Sequence, residues 1–255
     1  MNEVVEKICS FIIKKVERSD GDGVIVGVSG GIDSAVTAAL CSRALGKDRV
    51  YALILPENET IKESTLKDAR EVAGMFAGTV REIDFSPAYR ALAKSIPDFV
   101  EGAQIPNGNL KARLRMCLLY YYANKFGLLV AGTGDKSEIT LGYFTKYGDG
   151  GCDFLPIGDF YKTELKGLGR FLGVPASILE KKPSPGLWAG HTAEEELGFD
   201  YPKIDEMLKA FSAGEKVDAV ASRMGIKIDA AKKIKMMMES SGHKRAMPEI
   251  CRLKP

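Results

Sequence analysis

Three β-branched apolar residues, Val24-Ile25-Val26, run straight into Gly27-Val28-Ser29-Gly30-Gly31-Ile32-Asp33-Ser34, and behind this turn Ala35 to Leu45 is rich in helix formers and closes on Gly46. A short apolar run followed by glycines and then by helix formers predicts a buried strand, a tight turn and a helix start. Without Cβ atoms, Gly30 and Gly31 let backbone N–H groups approach an anion, and the unpaired N–H groups and positive dipole end of the helix favour phosphate there. The turn is therefore a candidate phosphate cradle. It is not a Walker A loop, because no Gly-Lys-Ser/Thr follows, and the spacing does not fit GxGxxG. Its distinctive residue is Asp33, a carboxylate placed where phosphate is expected. Two anions share a site most readily with a divalent cation between them, which makes Asp33 a candidate Mg²⁺ ligand. On these residues alone, a plain strand-to-helix turn with Asp33 as the helix cap remains the alternative.

The rest of the chain extends this unit. Val4, Val5, Ile8, Ile12 and Ile13 predict an amphipathic packing helix over 2–18. Arg49 to Leu55 predicts a second buried strand ending at Pro56, and Thr60 with Glu63 forms a capping-box pattern for a helix to about Phe76, with Ala69, Val72, Ala73 and Phe76 inward. Thr79 to Phe85 predicts a third strand, Ser86-Pro87 a helix start, Asn107 to Phe126 a long helix, and Leu128 to Ala131 a fourth strand running into Gly132-Thr133-Gly134. Strands alternating with helices argue for a parallel sheet covered on both faces, with ligands beyond the carboxyl ends of the strands. From about Ser137 the pattern is loop and helix, with a possible strand near Phe154-Leu155 and helices over 162–172, 203–211, 216–224 and 229–239. No repeat or low-complexity linker divides the chain, so one domain over 1–255 is expected, with a core at about 20–135 and substrate loops and a helical extension at about 136–255.

Charge and composition exclude several functions. Lys and Arg number 36 against 34 Asp and Glu, a net charge of +2, so nothing draws the whole chain to nucleic acid or a membrane. Five cysteines without CxxC spacing and only two histidines argue against a zinc site and for a reducing compartment. Met1 to Asp20 lacks a signal-peptide core, and no run approaches the roughly 20 apolar residues that span a bilayer, so a cytoplasmic protein is expected.

The SGGIDS turn resembles the SGGxDS loop of the ATP pyrophosphatases, which cleave ATP between its α and β phosphates to activate a carboxylate or carbonyl oxygen. A second stretch narrows this. Phe144-Thr-Lys-Tyr-Gly-Asp-Gly-Gly151 mixes aromatic, acidic, basic and glycine residues at neither helical nor strand spacing, a composition suited to wrapping a polar ligand with flat rings, and it closely resembles the FTKYGDGG loop of the NAD synthetases. Further matches follow in order: Ala112-Arg113-Leu-Arg115-Met116 with ARxRM, Gly132-Thr133 and Lys136-Ser137-Glu138 with GTxxKSE, and Leu155-Pro156 with Tyr161-Lys162-Thr163. Pro183-Ser184 with Gly186-Leu187-Trp188, then Glu196-Leu197-Gly198, and finally His243-Lys244-Arg245 with Pro248 complete the set. Pro185, His191 and Ala193 depart from that pattern and put the ordering of the 184–196 loop in question.

The resemblance implies a Rossmann-like, adenine nucleotide alpha hydrolase-like α/β fold and a ligase that amidates deamido-NAD⁺ with ammonia through an acyl-adenylate, ATP going to AMP and pyrophosphate. It implies that Gly27, Val28, Ser29, Gly30, Gly31, Ile32, Asp33 and Ser34 hold ATP together with Thr133, Lys162 and Ser184, and that Asp33 and Glu138 hold Mg²⁺. It places Arg113, Lys146, Asp153, His243 and Lys244 at deamido-NAD⁺, and gives Asp33, Glu138, Lys162 and Asp153 catalytic work. Arg113 and Arg115 lie two apart and cannot share a helix face, so Arg113 is expected at the ligand and Arg115 in packing or a salt bridge. The sequence holds no stretch for a glutamine-hydrolysing unit, so free ammonia or a separate ammonia-supplying partner is expected. The implied assembly is a homodimer, for which Tyr120-Tyr121-Tyr122 could supply contacts, although core packing explains them equally well. Rival readings are a GMP synthetase-like or tRNA-modifying ATP pyrophosphatase, or a nucleotide-binding regulator without turnover.

Overall fold

The computed structural model describes all residues except 58–60, 182–192, 252 and 254–255. Its centre is a parallel sheet of β1 (Gly23–Gly27), β2 (Val50–Ile54), β3 (Thr79–Glu82) and β4 (Leu128–Ala131), in the order β3-β2-β1-β4. The register pairs Val26 with Ala52 on one side and with Ala131 on the other. Around it lie α1 (Asn2–Arg18), α2 (Ile32–Leu45), α3 (Glu63–Phe76), α4 (Ser86–Ser95), α5 (Gln104–Lys125), α6 (Lys136–Leu141), α7 (Lys162–Phe171) and α8 (Ala176–Leu179). The chain continues with α9 (Ala193–Leu197), α10 (Tyr201–Ser212), α11 (Val217–Met224), α12 (Ile228–Ser240) and α13 (Gly242–Arg245).

Side chains alternate across a strand, so both sheet faces need a cover. Val24, Val26, Val50, Ala52, Ile54 and Ala131 face a core completed by α1, α2, α3, α7 and α8. Ile25, Leu53, Leu128 and Val130 face the opposite core, closed by Met116 and Leu119 of α5 and by Phe85 and Tyr89. This two-sided burial explains why β1, β2 and β4 read as continuous apolar runs rather than alternating ones, whereas β3, at the sheet edge, does not. A third cluster joins Leu141 and Tyr161 to Ile204, Met207, Leu208 and Phe211 of α10, Val220 of α11 and Ile234 of α12.

Several boundaries differ from the sequence pattern. Helix α3 starts at Glu63 with Lys62 as its cap residue and no side-chain cap, and Thr60 lies outside the described residues. The third strand ends at Glu82, where its side chains are exposed, instead of running to Phe85. Val4 is 41% exposed, because Val5, Cys9, Ile12 and Val16 form the stripe of α1 that meets the core. Phe154 makes a single parallel bridge to Ala131, a rudimentary fifth strand beside β4. It approaches so closely that a Cβ on Gly132 would lie 2.2 Å from Cys152 Sγ.

Candidate active site

Strand order reverses at β1, which has β2 on one side and β4 on the other, and a crevice opens beyond the carboxyl ends of the strands at such a point. The turn 28–31 leaves β1 there and 132–135 leaves β4 there, so two loops distant in sequence are brought side by side. In the first turn, Gly30 has φ +76°, and a Cβ on it would lie 2.5 Å from Thr65 O and 3.0 Å from Ala69 N of α3. Only glycine satisfies both the left-handed backbone and that contact. Ser34 Oγ ties the turn together, accepting from Ser29 N at 3.1 Å and donating to Gly31 O at 3.0 Å. Among the described residues no side chain caps α2, so its first N–H groups keep no side-chain partner there.

Across from this turn lies the electrostatic centre. Lys162 Nζ sits 2.7 Å from Asp33 Oδ1, 2.8 Å from Glu138 Oε1 and 2.9 Å from Asp135 Oδ2. One oxygen from each carboxylate lies within 4.8 Å of the other two. Asp33 comes from the first turn of α2, Asp135 and Glu138 from the start of α6, and Lys162 from the start of α7. Asp135 caps α6, accepting from Glu138 N at 2.8 Å, which orients both acids of that segment. Burial opposes the charge of Lys162, but Asp33, Glu138 and Asp135 outweigh it and hold the ammonium well above its ordinary range. Burial also raises Glu138, Lys162 pulls it back, and the neighbouring acids add to the rise. Asp135 is pushed up to about 6 by burial and by Asp33, against the pull of Lys162. Three carboxylates around one ammonium leave an excess of negative charge, and Asp135 Oδ2, though buried, makes no aligned hydrogen bond among the described residues. A hard oxygen set with a spare buried lone pair fits a divalent cation such as Mg²⁺.

Asp135 was not a sequence candidate. Its only signal was its position four residues beyond a strand, inside a turn already read as Gly-Thr-Gly. Lys181 was missed as well: it pairs with Asp68 of α3 and reaches to 3.4 Å from Gly30 O, beside the turn. Ser184 lies outside the described residues, as do Pro183, Pro185, Gly186, Leu187, Trp188 and His191.

The remaining candidates separate into two groups. Arg113, exposed on α5, donates from Nε to Lys146 O at 3.2 Å, and Lys146 Nζ donates to His243 O at 2.6 Å. Lys244 Nζ donates to Gly142 O at 2.7 Å and Phe144 O at 2.9 Å, so the C-terminal segment is latched onto the 143–151 loop. Burial lowers Lys244 against the opposing charge of Asp149. Asp153 stands apart from these four: its oxygens accept from Val130 N at 2.7 Å and Tyr120 OH at 2.9 Å, bracing β4 against α5. Arg115 stacks over Phe85 at 4.6 Å and donates to Leu55 O at 3.3 Å, away from Arg113.

The placement of these pieces sets the class: the sheet is Rossmann-like, of the adenine nucleotide alpha hydrolase type, and its polar machinery gathers at the carboxyl edge. Residues 4–248 match the sequence model of the NAD synthase family. The NH(3)-dependent NAD(+) synthetase of Archaeoglobus fulgidus is 48% identical over 252 residues, covering 99% of this chain and 97% of that one. The enzyme of the same name from Methanocaldococcus jannaschii is 45% identical, covering 97% and 96%. Among solved structures, an NMN synthetase from Francisella tularensis superimposes with a TM-score of 0.85 at 35% identity, covering 98% and 97% of the two chains. The NH3-dependent NAD synthetase of Campylobacter jejuni gives 0.82 at 35% identity, covering 98% of each. The chain belongs to the NAD synthase family.

Proposed function

We propose that this chain is a ligase that amidates the nicotinate carboxylate of deamido-NAD⁺ with ammonia, spending ATP to AMP and pyrophosphate. The observation that carries the reading is the convergence of the glycine turn, Asp33, Glu138 and Lys162 at one crevice edge, in a chain 48% identical to an NH(3)-dependent NAD(+) synthetase. A carboxylate resists nucleophiles because its charge is delocalised and oxide leaves poorly. Adenylation removes that obstacle: a carboxylate oxygen attacks the α-phosphorus, the bond to the β-phosphate bridge breaks, and pyrophosphate leaves with the electron pair. Ammonia then attacks the acyl carbon, AMP departs, and the nitrogen loses a proton.

The chain's residues are suited to holding charge more than to moving protons. Backbone N–H groups of 28–34, with the start of α2, hold the triphosphate. Lys162 supplies a buried cation against the departing pyrophosphate, and Thr133 and Ser184 complete the ATP contacts. Asp33 and Glu138, with Asp135 beside them, would hold Mg²⁺, which when bound neutralises phosphate charge. Arg113, Lys146, His243 and Lys244 form the deamido-NAD⁺ side, as the hydrogen bonds joining the 143–151 loop to the C-terminal segment suggest. Asp153 contributes there through the β4 edge that it braces.

We further propose a homodimer in the cytoplasm, working as one synthetase unit. Of the three adjacent tyrosines, Tyr120 bonds to Asp153 and Tyr122 stacks on Phe126, whereas Tyr121 is 60% exposed and available to a partner copy. The cysteines are free thiols, in keeping with a reducing compartment, and among the described residues no helix is long and apolar enough to cross a membrane.

A second reading, amidation of the nicotinate mononucleotide, is favoured by the likeness to the Francisella NMN synthetase. Chromatographic detection of amide product, with deamido-NAD⁺ or nicotinate mononucleotide and with ammonium or glutamine, separates them. The dinucleotide with ammonium is expected to give the highest kcat/KM; a preference for the mononucleotide would replace the first reading with the second.

A further inference from the structure

Helix α10 carries an acid on its buried face. Tyr201, Ile204, Leu208 and Phe211 form the stripe packed into the third cluster, and Asp205 lies within it, 2% exposed. A carboxylate among apolar side chains is costly unless its lone pairs are filled, and here donors fill them. Ser137 Oγ donates to Asp205 Oδ1, while Oδ2 accepts from Thr163 N at 3.0 Å and Thr163 Oγ1 at 2.8 Å. Ser137 Oγ in turn accepts from Lys162 N at 2.9 Å. The start of α7 therefore has its first two N–H groups satisfied from elsewhere in the fold: Lys162 N by Ser137 of α6, and Thr163 N by Asp205 of α10. The residue before it, Tyr161, offers no side-chain cap hydrogen bond.

The two residues that Asp205 grips are the immediate neighbours of the two that matter. Ser137 precedes Glu138, and Thr163 follows Lys162. We infer that Asp205 is a positioning residue for the adenylation step: it locks the starts of α6 and α7 together so that Glu138 and Lys162 meet at 2.8 Å. It touches no reacting atom and acts through Ser137 and Thr163. The assignment rests on the synthetase reading for what Glu138 and Lys162 do, and goes beyond it in placing the alignment of the crevice in the C-terminal helices.

Asp205→Asn tests this. The amide keeps the size but loses the charge and one acceptor oxygen. With Oδ1 kept on Thr163, its N–H₂ faces Ser137 Oγ, which already accepts from Lys162 N and can no longer donate its proton to residue 205, so one charge-assisted side of the grip is lost. At a temperature where circular dichroism shows it folded, Asp205→Asn is expected to lose 10- to 100-fold in kcat, to raise the Mg²⁺ concentration for half-maximal rate at least threefold, and to keep KM for deamido-NAD⁺ within twofold. Leu208→Ala, one turn along α10 and fully buried, serves as the structural control: it is expected to lower Tm comparably with kcat within twofold of wild type. If Asp205→Asn does not fold, Thr163→Val, which removes only the hydroxyl donor, is expected to show the same kcat and Mg²⁺ pattern at three- to tenfold. Folded Asp205→Asn with wild-type kcat and Mg²⁺ dependence overturns the inference, as does folded Leu208→Ala losing kcat equally, or wild-type behaviour of Thr163→Val where it carries the test. Wild-type protein that forms no amide product overturns the synthetase reading itself, a separate outcome visible before any variant is made.

Discussion

Lys162→Met removes the cation that three acids share among the described residues while keeping most of the side-chain volume. The lysine is 5% exposed and lies 2.7, 2.8 and 2.9 Å from Asp33, Glu138 and Asp135, whose side chains are 25%, 23% and 0% exposed. At an effective dielectric of about 20, one such contact is worth about 6 kcal/mol before desolvation. Dehydrating the ions offsets much of that, but removing one partner of a buried pair leaves the others uncompensated and costs about 3–5 kcal/mol. In a chain of this size that loss corresponds to a fall in Tm of about 10 °C. The pH dependence has a definite sign. Asp135 already has its folded pKa pushed up to about 6, above its ordinary 3.8, and losing Lys162 raises it further. A raised acid destabilises the fold once pH exceeds its unfolded pKa, and the cost grows until pH passes the folded value. The deficit of Lys162→Met is therefore expected to be larger at pH 8 than at pH 5, where the acids take up protons. Millimolar Mg²⁺ without nucleotide is expected to raise the Tm of the variant more than that of wild type, since the freed oxygens bind it only in the folded state. Thermal melts at both pH values, with EDTA or Mg²⁺, measure all of this. A Tm within 1 °C of wild type at pH 8, or a deficit that grows on acidification, would refute the reasoning.

Other substitutions probe the remaining parts. Asp33→Ala is expected to abolish Mg²⁺-dependent adenylation with the fold intact by circular dichroism, and normal turnover would remove Asp33 from its role. Gly30→Ala meets both the positive φ and the 2.5 Å contact with Thr65 O, so it is expected to cost about 2–4 kcal/mol in urea unfolding and to weaken ATP binding at least tenfold by calorimetry. Lys146→Ala is expected to raise KM for deamido-NAD⁺ about tenfold with kcat within threefold, because Lys146 lies in the 143–151 loop, ties it to the C-terminal segment through His243 O, and is not among the described residues that contact the carboxylate cluster; an unchanged KM would refute the assignment.

Strands β1, β2 and β4 were legible because they are buried on both faces and bounded by glycine or proline, so Val24-Ile25-Val26 and Leu128 to Ala131 stand out without any partner, whereas the exposed edge strand β3 left no such run and its end was misplaced. Helix α6 was not, because six residues beside a glycine turn carry no period, and what fixes them is the Asp135 cap and the packing of Leu141 in the third cluster. Glycine-turn chemistry is local and could be read directly. Convergence is not: Asp33 and Lys162 are 129 residues apart, and nothing in their spacing says that both approach Asp135. Asp205 did leave a trace, an acid on the apolar stripe of Tyr201, Ile204 and Leu208, a mismatch that announces a buried partner without naming it.

The most direct test of the account is the fate of the nucleotide. Purified protein with deamido-NAD⁺, ATP, ammonium and Mg²⁺ is expected to form AMP, pyrophosphate and NAD⁺ in equal amounts, read by ion-exchange chromatography. Release of ADP and orthophosphate, or NAD⁺ appearing without AMP, would contradict it.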